Sequence, residues 1–292
     1  MDSYLSDPIA ELLTTYIELN PSTVTVLDEA PSALEFMRFV SLNRPFVVRG
    51  FALDPWEESQ PFPEFVDFVS QQELRGRKGE EVRYAQTPTS WTKRTAGLNE
   101  TPGQRLSLQD HLMVNLNCDA ERMITFAMNT RRCLLMWRKT YLSPGNSHSV
   151  TSLHKDPYQN IYVQIIGQKH FTLLPPIFHS CINEVSLASS SYIRSNSDTS
   201  ILTMEPDSPP TELPIATWDP DVPSKNPTKY SFLAQPIHVT LEKGDMLYLP
   251  ALWYHKVGQS CGDEGICVAA NYCFAQDLST EKWIDYSDQR KN

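Results

Sequence analysis

The chain has 292 residues, 40% hydrophobic and 21% charged, a balance that fits a folded protein and excludes one kept disordered by its own charge. Its formal net charge is −10 and its pI near 5.2, so its overall field opposes DNA and RNA phosphates and favours cationic partners. With 11 glycines against 22 prolines, and without G-x-G-x-x-G, G-x-x-x-x-G-K, G-x-S-x-G or H-E-x-x-H, it offers no footing for phosphate-loop, serine-hydrolase or zincin chemistry.

In chain order, Met1-Asp2-Ser3-Tyr4 lacks the basic and apolar regions of a secretory signal, and no apolar run approaches the roughly 18 residues that span a bilayer. The expectation is a cytoplasmic and/or nuclear protein with no membrane partner. Asp7-Pro8 supplies an N-cap and a first-turn proline, and Ile9, Leu12, Leu13, Tyr16 and Ile17 follow at helical spacing. Ser32 and Glu35 form a capping-box pattern for a second helix, with Leu34, Phe36, Met37, Phe39 and Val40, that stops near Asn43-Arg44-Pro45. Phe46 to Arg49 reads as a strand, Phe62, Phe65, Val66 and Val69 as a helix, Val82 to Ala85 as a short strand and Ser107 to Leu116 as a third helix. Residues 1–145 therefore read as a helical N-terminal part whose few strands pack on a β core.

Residues 146–276 read as that core. Ser149 to Leu153, Asn160 to Ile166 and Lys169 to Leu174 are β-rich, the last two joined through Gly167-Gln168 as a hairpin. Residues 178–232, rich in Ser, Thr, Pro and Asp, read as a long insertion or lid-like loop. Then Ile237, Val239 and Leu241 alternate, Glu242 to Asp245 turns, Met246 to Pro250 runs on, and Ile266 to Phe274 makes a further strand; 277–292 is a short tail. The six cysteines include no C-x-x-C pair, so reduced thiols are expected, with Cys261, Cys267 and Cys273 as strand or core residues rather than metal ligands.

Chemistry concentrates in His154-Lys155-Asp156. Residues two apart in an extended segment share a face, so an imidazole nitrogen and a carboxylate oxygen can meet one ion. That is two thirds of a 2-His-1-carboxylate triad, which holds Fe(II) and leaves positions open. His255, placed at the end of the β run Met246 to Pro250, is the candidate third ligand, if an antiparallel barrel returns it to the pair. An H-x-D by itself is common without a metal.

The run His154-Lys155-Asp156-Pro157-Tyr158-Gln159-Asn160-Ile161-Tyr162, then Gly167-Gln168-Lys169 and Leu174-Pro175-Pro176, then Gly244-Asp245-Met246 through Trp253-Tyr254-His255, resembles the cupin-like JmjC-domain dioxygenases. With Val150-Thr151-Ser152-Leu153 before it, it is most similar to the small JmjC-only lysyl hydroxylase and peptidase group. The resemblance is specific over 146–176 and 236–272 and looser over 1–88. It implies a mainly β protein with flanking helices, built on a double-stranded β-helix barrel of the cupin or jelly-roll type. It also implies Fe(II), 2-oxoglutarate as co-substrate and O₂. His154, Asp156 and His255 would then be metal ligands and catalytic residues. Lys169 and Thr151 would bind the distal carboxylate of 2-oxoglutarate, with Asn160 and Asn271 nearby. The implied activity is hydroxylation of a protein side chain, lysine first, in a protein or peptide partner of basic character and not a nucleic acid; the oligomeric state stays open, a homodimer being one option.

Two departures keep alternatives open. The family places another strand and helix before the H-x-D, with a tyrosine facing the co-substrate. Here Met123 to Asn129 holds Phe126 instead, and the approach through Cys133 to Trp137 and Tyr141 to Pro144 is short. A trimmed barrel would suit a non-catalytic cupin or pseudoenzyme used as a binding module. A third reading is a peptidase or demethylase acting on histone tails.

Overall fold

The computed structural model of the protein describes residues 7–51, 71, 73–74, 87–89, 135–194 and 202–276. The helices expected at 62–69 and 107–116, the strand at 82–85, the segment 123–129 and the tail at 277–292 lie outside the described residues. In chain order the elements are α1 (Pro8–Leu19), β1 (Thr25–Leu27), α2 (Ala33–Leu42), β2 (Phe46–Val48), β3 (Thr87–Thr89), β4 (Leu135–Gly145), β5 (Thr151–Lys155), β6 (Gln159–Ile166) and β7 (Gln168–Leu174). They continue with α3 (His179–Ile182), β8 (Glu184–Ala188), β9 (Ser190–Arg194), β10 (Leu202–Pro206), β11 (Glu212–Ala216), β12 (Ile237–Leu241), β13 (Met246–Leu249), β14 (Tyr254–Ser260) and β15 (Cys267–Gln276). No helix among the described residues is long and apolar enough to cross a membrane.

The helix ends follow the sequence signals. The Asp7 carboxylate accepts from the backbone N–H groups of Ile9 (3.1 Å) and Ala10 (3.4 Å), satisfying donors that the first turn leaves over. Ser32 and Glu35 complete a reciprocal capping box, and α2 stops where Asn43 turns left-handed at φ 50°.

The chain forms two compact units. The larger comprises Thr23–Thr151, Lys155–Leu173 and Ile237–Asn292. A seven-stranded sheet runs β1-β2-β13-β6-β15-β4-β3 and a four-stranded sheet β12-β7-β14-β5. Pairing in the larger sheet is antiparallel except between β1 and β2. Val47, Tyr162, Leu247 and Leu249 from the larger sheet and Phe171, Leu173, Ile237, Val239, Leu241 and Val257 from the smaller share one core cluster. Each such side chain contributes about 1.5–3 kcal/mol by leaving water. This is the jelly-roll architecture expected from the sequence.

One expectation is overturned. Gly167-Gln168 does not close a hairpin: β6 pairs with β13 and β15 in one sheet while β7 pairs with β12 in the other. Gly167, at φ 69°, is the corner between sheets, and a Cβ there would lie 2.4 Å from the Ser260 carbonyl oxygen. The local sequence of a tight turn between two apolar runs cannot distinguish a hairpin from such a crossing.

β13 is apolar on both faces, and the reason lies outside the core. On the far face of β13, Tyr248 meets Phe36 of α2 (ring centroids 5.0 Å apart) and Phe46 of β2 (5.2 Å), and Phe39 meets Phe46 (4.6 Å). The turn entering β13 is fixed by Asp245, a buried carboxylate that accepts from the backbone N–H of Gly50 (3.0 Å) and Glu242 (2.9 Å) and pairs with Arg49.

The second unit comprises Met1–Ser22, Ser152–His154 and Leu174–Pro236. Leu13 of α1 is buried, Tyr16 packs edge-on against Phe178 (6.0 Å), and the Tyr230 hydroxyl donates to the Asp7 carboxylate (3.0 Å). The stretch read as a loop at 178–232 contains an antiparallel ribbon, β8 with β11 and β9 with β10. Val185 opposite Ile215 and Leu187 opposite Leu213 were the available signal, diluted by the surrounding Ser, Pro and Asp.

Candidate functional site

His154 comes near the end of β5, Asp156 follows two residues later, and His255 is the second residue of β14. This corrects the placement of His255 at the end of the preceding β run: between β13 and His255 the chain turns through Ala251 and Leu252, the latter at φ 67°. That turn is tied to the other ligand segment, because the Leu252 N–H donates to the Asp156 carbonyl oxygen (2.8 Å). On the opposite side of the two strands, the Lys155 ammonium donates to the Tyr254 hydroxyl (3.0 Å), so the residues next to His154 and His255 are bonded as well.

His154, Asp156 and His255 each offer one ligand atom, all within 4.8 Å of one another. His154 and Asp156 are held together by the chain itself. Asp156 and His255 belong to the same unit, with Asp156 Oδ2 3.8 Å from His255 Nε2.

The histidine tautomers tell whether these donors suit a metal. His154 Nδ1 lies 2.8 Å from the Ser152 carbonyl oxygen and His255 Nδ1 3.0 Å from that of Trp253. A carbonyl only accepts, so Nδ1 carries a proton in both rings, and in the neutral form of each ring Nε2 carries the lone pair. Two neutral imidazoles oriented in this way, with one carboxylate, are the donor set of a facial triad. The residues fit a divalent first-row metal. His255 is buried, and the Tyr162 ring stands edge-on 6.5 Å from it and 5.1 Å from Phe171.

Polar side chains continue into the interior of the sheets. On β14, His255, Val257 and Gln259 are buried while Lys256 and Gly258 between them are less so. Lys169 on β7 is 4% exposed, and its ammonium donates to Gln259 Oε1 (3.2 Å). Burial pushes the Lys169 pKa down, partly opposed by the nearby Cys267 thiol. Asn160 on β6 and Asn271 on β15 are buried together, Asn271 Nδ2 donating to Asn160 Oδ1 (3.4 Å), and the Cys273 thiol donates to the same oxygen (3.0 Å). The interior thus offers an ammonium and two amides, donors suited to an organic dianion. Thr151 is the first residue of β5 and is exposed.

Three features escaped the sequence reading. Tyr162 was legible, being two residues beyond Asn160 on the same face of β6. Gln259 was not, because β14 carries polar His255 and Gln259 at buried positions and so lacks the apolar alternation of a half-buried strand. The carbonyls of Ser152 and Trp253 could not be read from residue type at all.

A cupin-like domain model matches residues 52–280. Among characterised proteins, the chain is 29% identical over 277 residues to the bifunctional peptidase and (3S)-lysyl hydroxylase JMJD7 of Homo sapiens, covering 87% of this chain and 84% of that one. It is 37% identical over 139 residues to lysine-specific demethylase JMJ32 of Arabidopsis thaliana, covering 44% of this chain and 39% of the relative. It is 34% identical over 142 residues to JmjC domain-containing protein E of Dictyostelium discoideum, covering 44% and 40%. The matched region thus spans about two fifths of the length of the plant and Dictyostelium relatives.

Proposed function

The chain belongs to the cupin-like domain family, with JmjC-domain proteins among its relatives, and from that premise we propose that it is an Fe(II)- and 2-oxoglutarate-dependent oxygenase that hydroxylates a protein side chain, lysine first. The observation that carries the reading is the convergence of His154, Asp156 and His255 with both Nδ1 atoms committed to carbonyls.

In this reading His154 Nε2, an Asp156 oxygen and His255 Nε2 would hold iron as the 2-His-1-carboxylate set, three ligands being few enough to leave the metal open to chemistry. The Ser152 and Trp253 carbonyls fix the tautomer and rotation of each ring before any metal arrives. The Lys169 ammonium would neutralise the distal carboxylate of 2-oxoglutarate inside the buried interior, where an uncompensated anion would be costly. Asn160 and Asn271 orient the co-substrate through their amides, and Tyr162 with Phe171 closes the interior beside His255 against water. When bound, iron and 2-oxoglutarate supply oxidative decarboxylation coupled to oxidation of a substrate C–H bond; the protein supplies ligation, orientation and dryness.

JMJD7 of Homo sapiens carries lysyl hydroxylase in its name and aligns with most of both chains, which favours lysine. A net charge of −10 favours a basic segment around it. The test is to incubate the full chain with Fe(II), 2-oxoglutarate, ascorbate and a lysine-containing peptide library, and to follow succinate and peptide mass together. Succinate with a gain of one oxygen on a peptide supports the proposal. Loss of methyl groups from methylated peptides reassigns it to demethylation, metal-dependent backbone cleavage reassigns it to a peptidase, and metal binding without succinate leaves a binding module.

A further inference from the structure

We propose that Gln259 is the positioning residue for Lys169, fixing the ammonium at the place where the distal carboxylate of the co-substrate is received; this rests on the 2-oxoglutarate reading above. Gln259 is 6% exposed and sits four residues beyond His255 on the same buried face of β14. Its amide is held at both ends. Nε2 donates to the Asn146 carbonyl (2.7 Å) and Oε1 accepts from Lys169 Nζ (3.2 Å). Because the Asn146 carbonyl cannot donate, the amide has a single orientation, and that orientation turns its oxygen toward the lysine.

The choice of a neutral acceptor has a chemical consequence. A carboxylate at 259 could still accept from Lys169, but it would set an oxygen against the Asn146 carbonyl and would cancel the lysine's charge, leaving nothing for an incoming dianion to neutralise. An apolar residue would remove the acceptor that the Lys169 ammonium meets on β14, so that binding would have to order the ammonium more. Glutamine does neither. The strand that presents His255 at one point therefore presents, four residues on, the group that orients the cation for the far end of the co-substrate, and the two ends share one rigid element.

The experiment uses the full chain loaded with Mn(II) and measures by calorimetry the affinities of the metal, of 2-oxoglutarate, and of oxalate, which chelates a metal but has no distal carboxylate. Melting curves and circular dichroism check each variant's fold. Gln259→Met should weaken 2-oxoglutarate about tenfold, the size of one lost hydrogen bond to a charged group, and leave Mn(II) and oxalate unchanged. Gln259→Glu, which keeps the acceptor and the shape, should weaken 2-oxoglutarate more than Gln259→Met does. In a Lys169→Met background, Gln259→Met should cost nothing further. A purely structural role, through the bond to the Asn146 carbonyl, predicts instead that oxalate and 2-oxoglutarate weaken together; that result, or a Gln259→Glu protein that binds 2-oxoglutarate like the wild type, overturns the inference. A wild-type protein that binds Mn(II) and oxalate but not 2-oxoglutarate overturns the co-substrate reading itself, and this inference with it.

Discussion

Asp156→Asn is the sharpest test of the metal centre, because it changes the ligand chemistry while leaving the fold nearly untouched. The Asp156 side chain is 32% exposed against 1% for His255, and asparagine has almost the same shape. Replacement should therefore move the metal-free stability by no more than about 0.5 kcal/mol, as for an ordinary surface change. His255→Ala would be harder to interpret, since emptying a buried ring site costs about 3–5 kcal/mol for reasons unrelated to metal. Mn(II) at a hundred times its dissociation constant stabilises the wild type by about 2.7 kcal/mol. For a chain of this size that is a rise in Tm of about 5–11 °C. Losing the anionic ligand should weaken the metal at least as much as losing a group that orients a ligand, about a hundredfold. At the same Mn(II) concentration the remaining stabilisation is then about 0.4 kcal/mol, or about 1–2 °C. Paired melting curves with and without Mn(II) give both numbers. An Asp156→Asn protein that keeps the full metal-induced rise would refute the triad.

Three other outcomes are expected from the geometry. Lys169→Met should lower 2-oxoglutarate affinity about 10- to 150-fold, the value of a charge-assisted hydrogen bond, while Mn(II) titrates as in the wild type; equal losses of both would mean that the core, not the contact, had been damaged. Gly167→Ala forces a residue with a Cβ into φ 69° and against the Ser260 carbonyl oxygen at 2.4 Å, so urea unfolding should show a loss of at least about 1–3 kcal/mol; wild-type stability would mean that the corner between β6 and β7 can relax. Asp245→Ala strands the N–H groups of Gly50 and Glu242, while Arg49 keeps its bond to the Thr240 carbonyl, and chemical denaturation should report a cost of about 1–3 kcal/mol for each stranded group.

Much of this was legible where one periodicity dominates. The caps at Asp7 and Ser32, the alternation of Ile237, Val239 and Leu241, and the H-x-D all depend on local chemistry that a sequence displays directly. What escaped depends on partners distant in the chain. The β6–β7 corner looks like a hairpin because a glycine turn between apolar runs is the same in both cases, and only the presence of β12, β13 and β15 decides between them. β14 was hidden because its buried face is chemical rather than apolar: His255 and Gln259 occupy positions where a purely structural strand would carry Val or Leu. The ribbon at 184–216 was hidden for the opposite reason, since its apolar pairs are exposed and few. Departures from pattern at buried positions thus mark the site, and departures at exposed positions mark only a lean strand pair.

The bond between the Leu252 N–H and the Asp156 carbonyl has a consequence for how freely the carboxylate can be exchanged. It is made by main chain on both sides, so the two ligand-bearing segments stay docked whatever side chain stands at 156. The carboxylate is in that sense a removable part on a fixed mount. A chain carrying glycine there would present two oriented imidazoles beside a gap the size of one small anion, a socket that formate, azide or halide dissolved in the buffer can fill in place of the missing group.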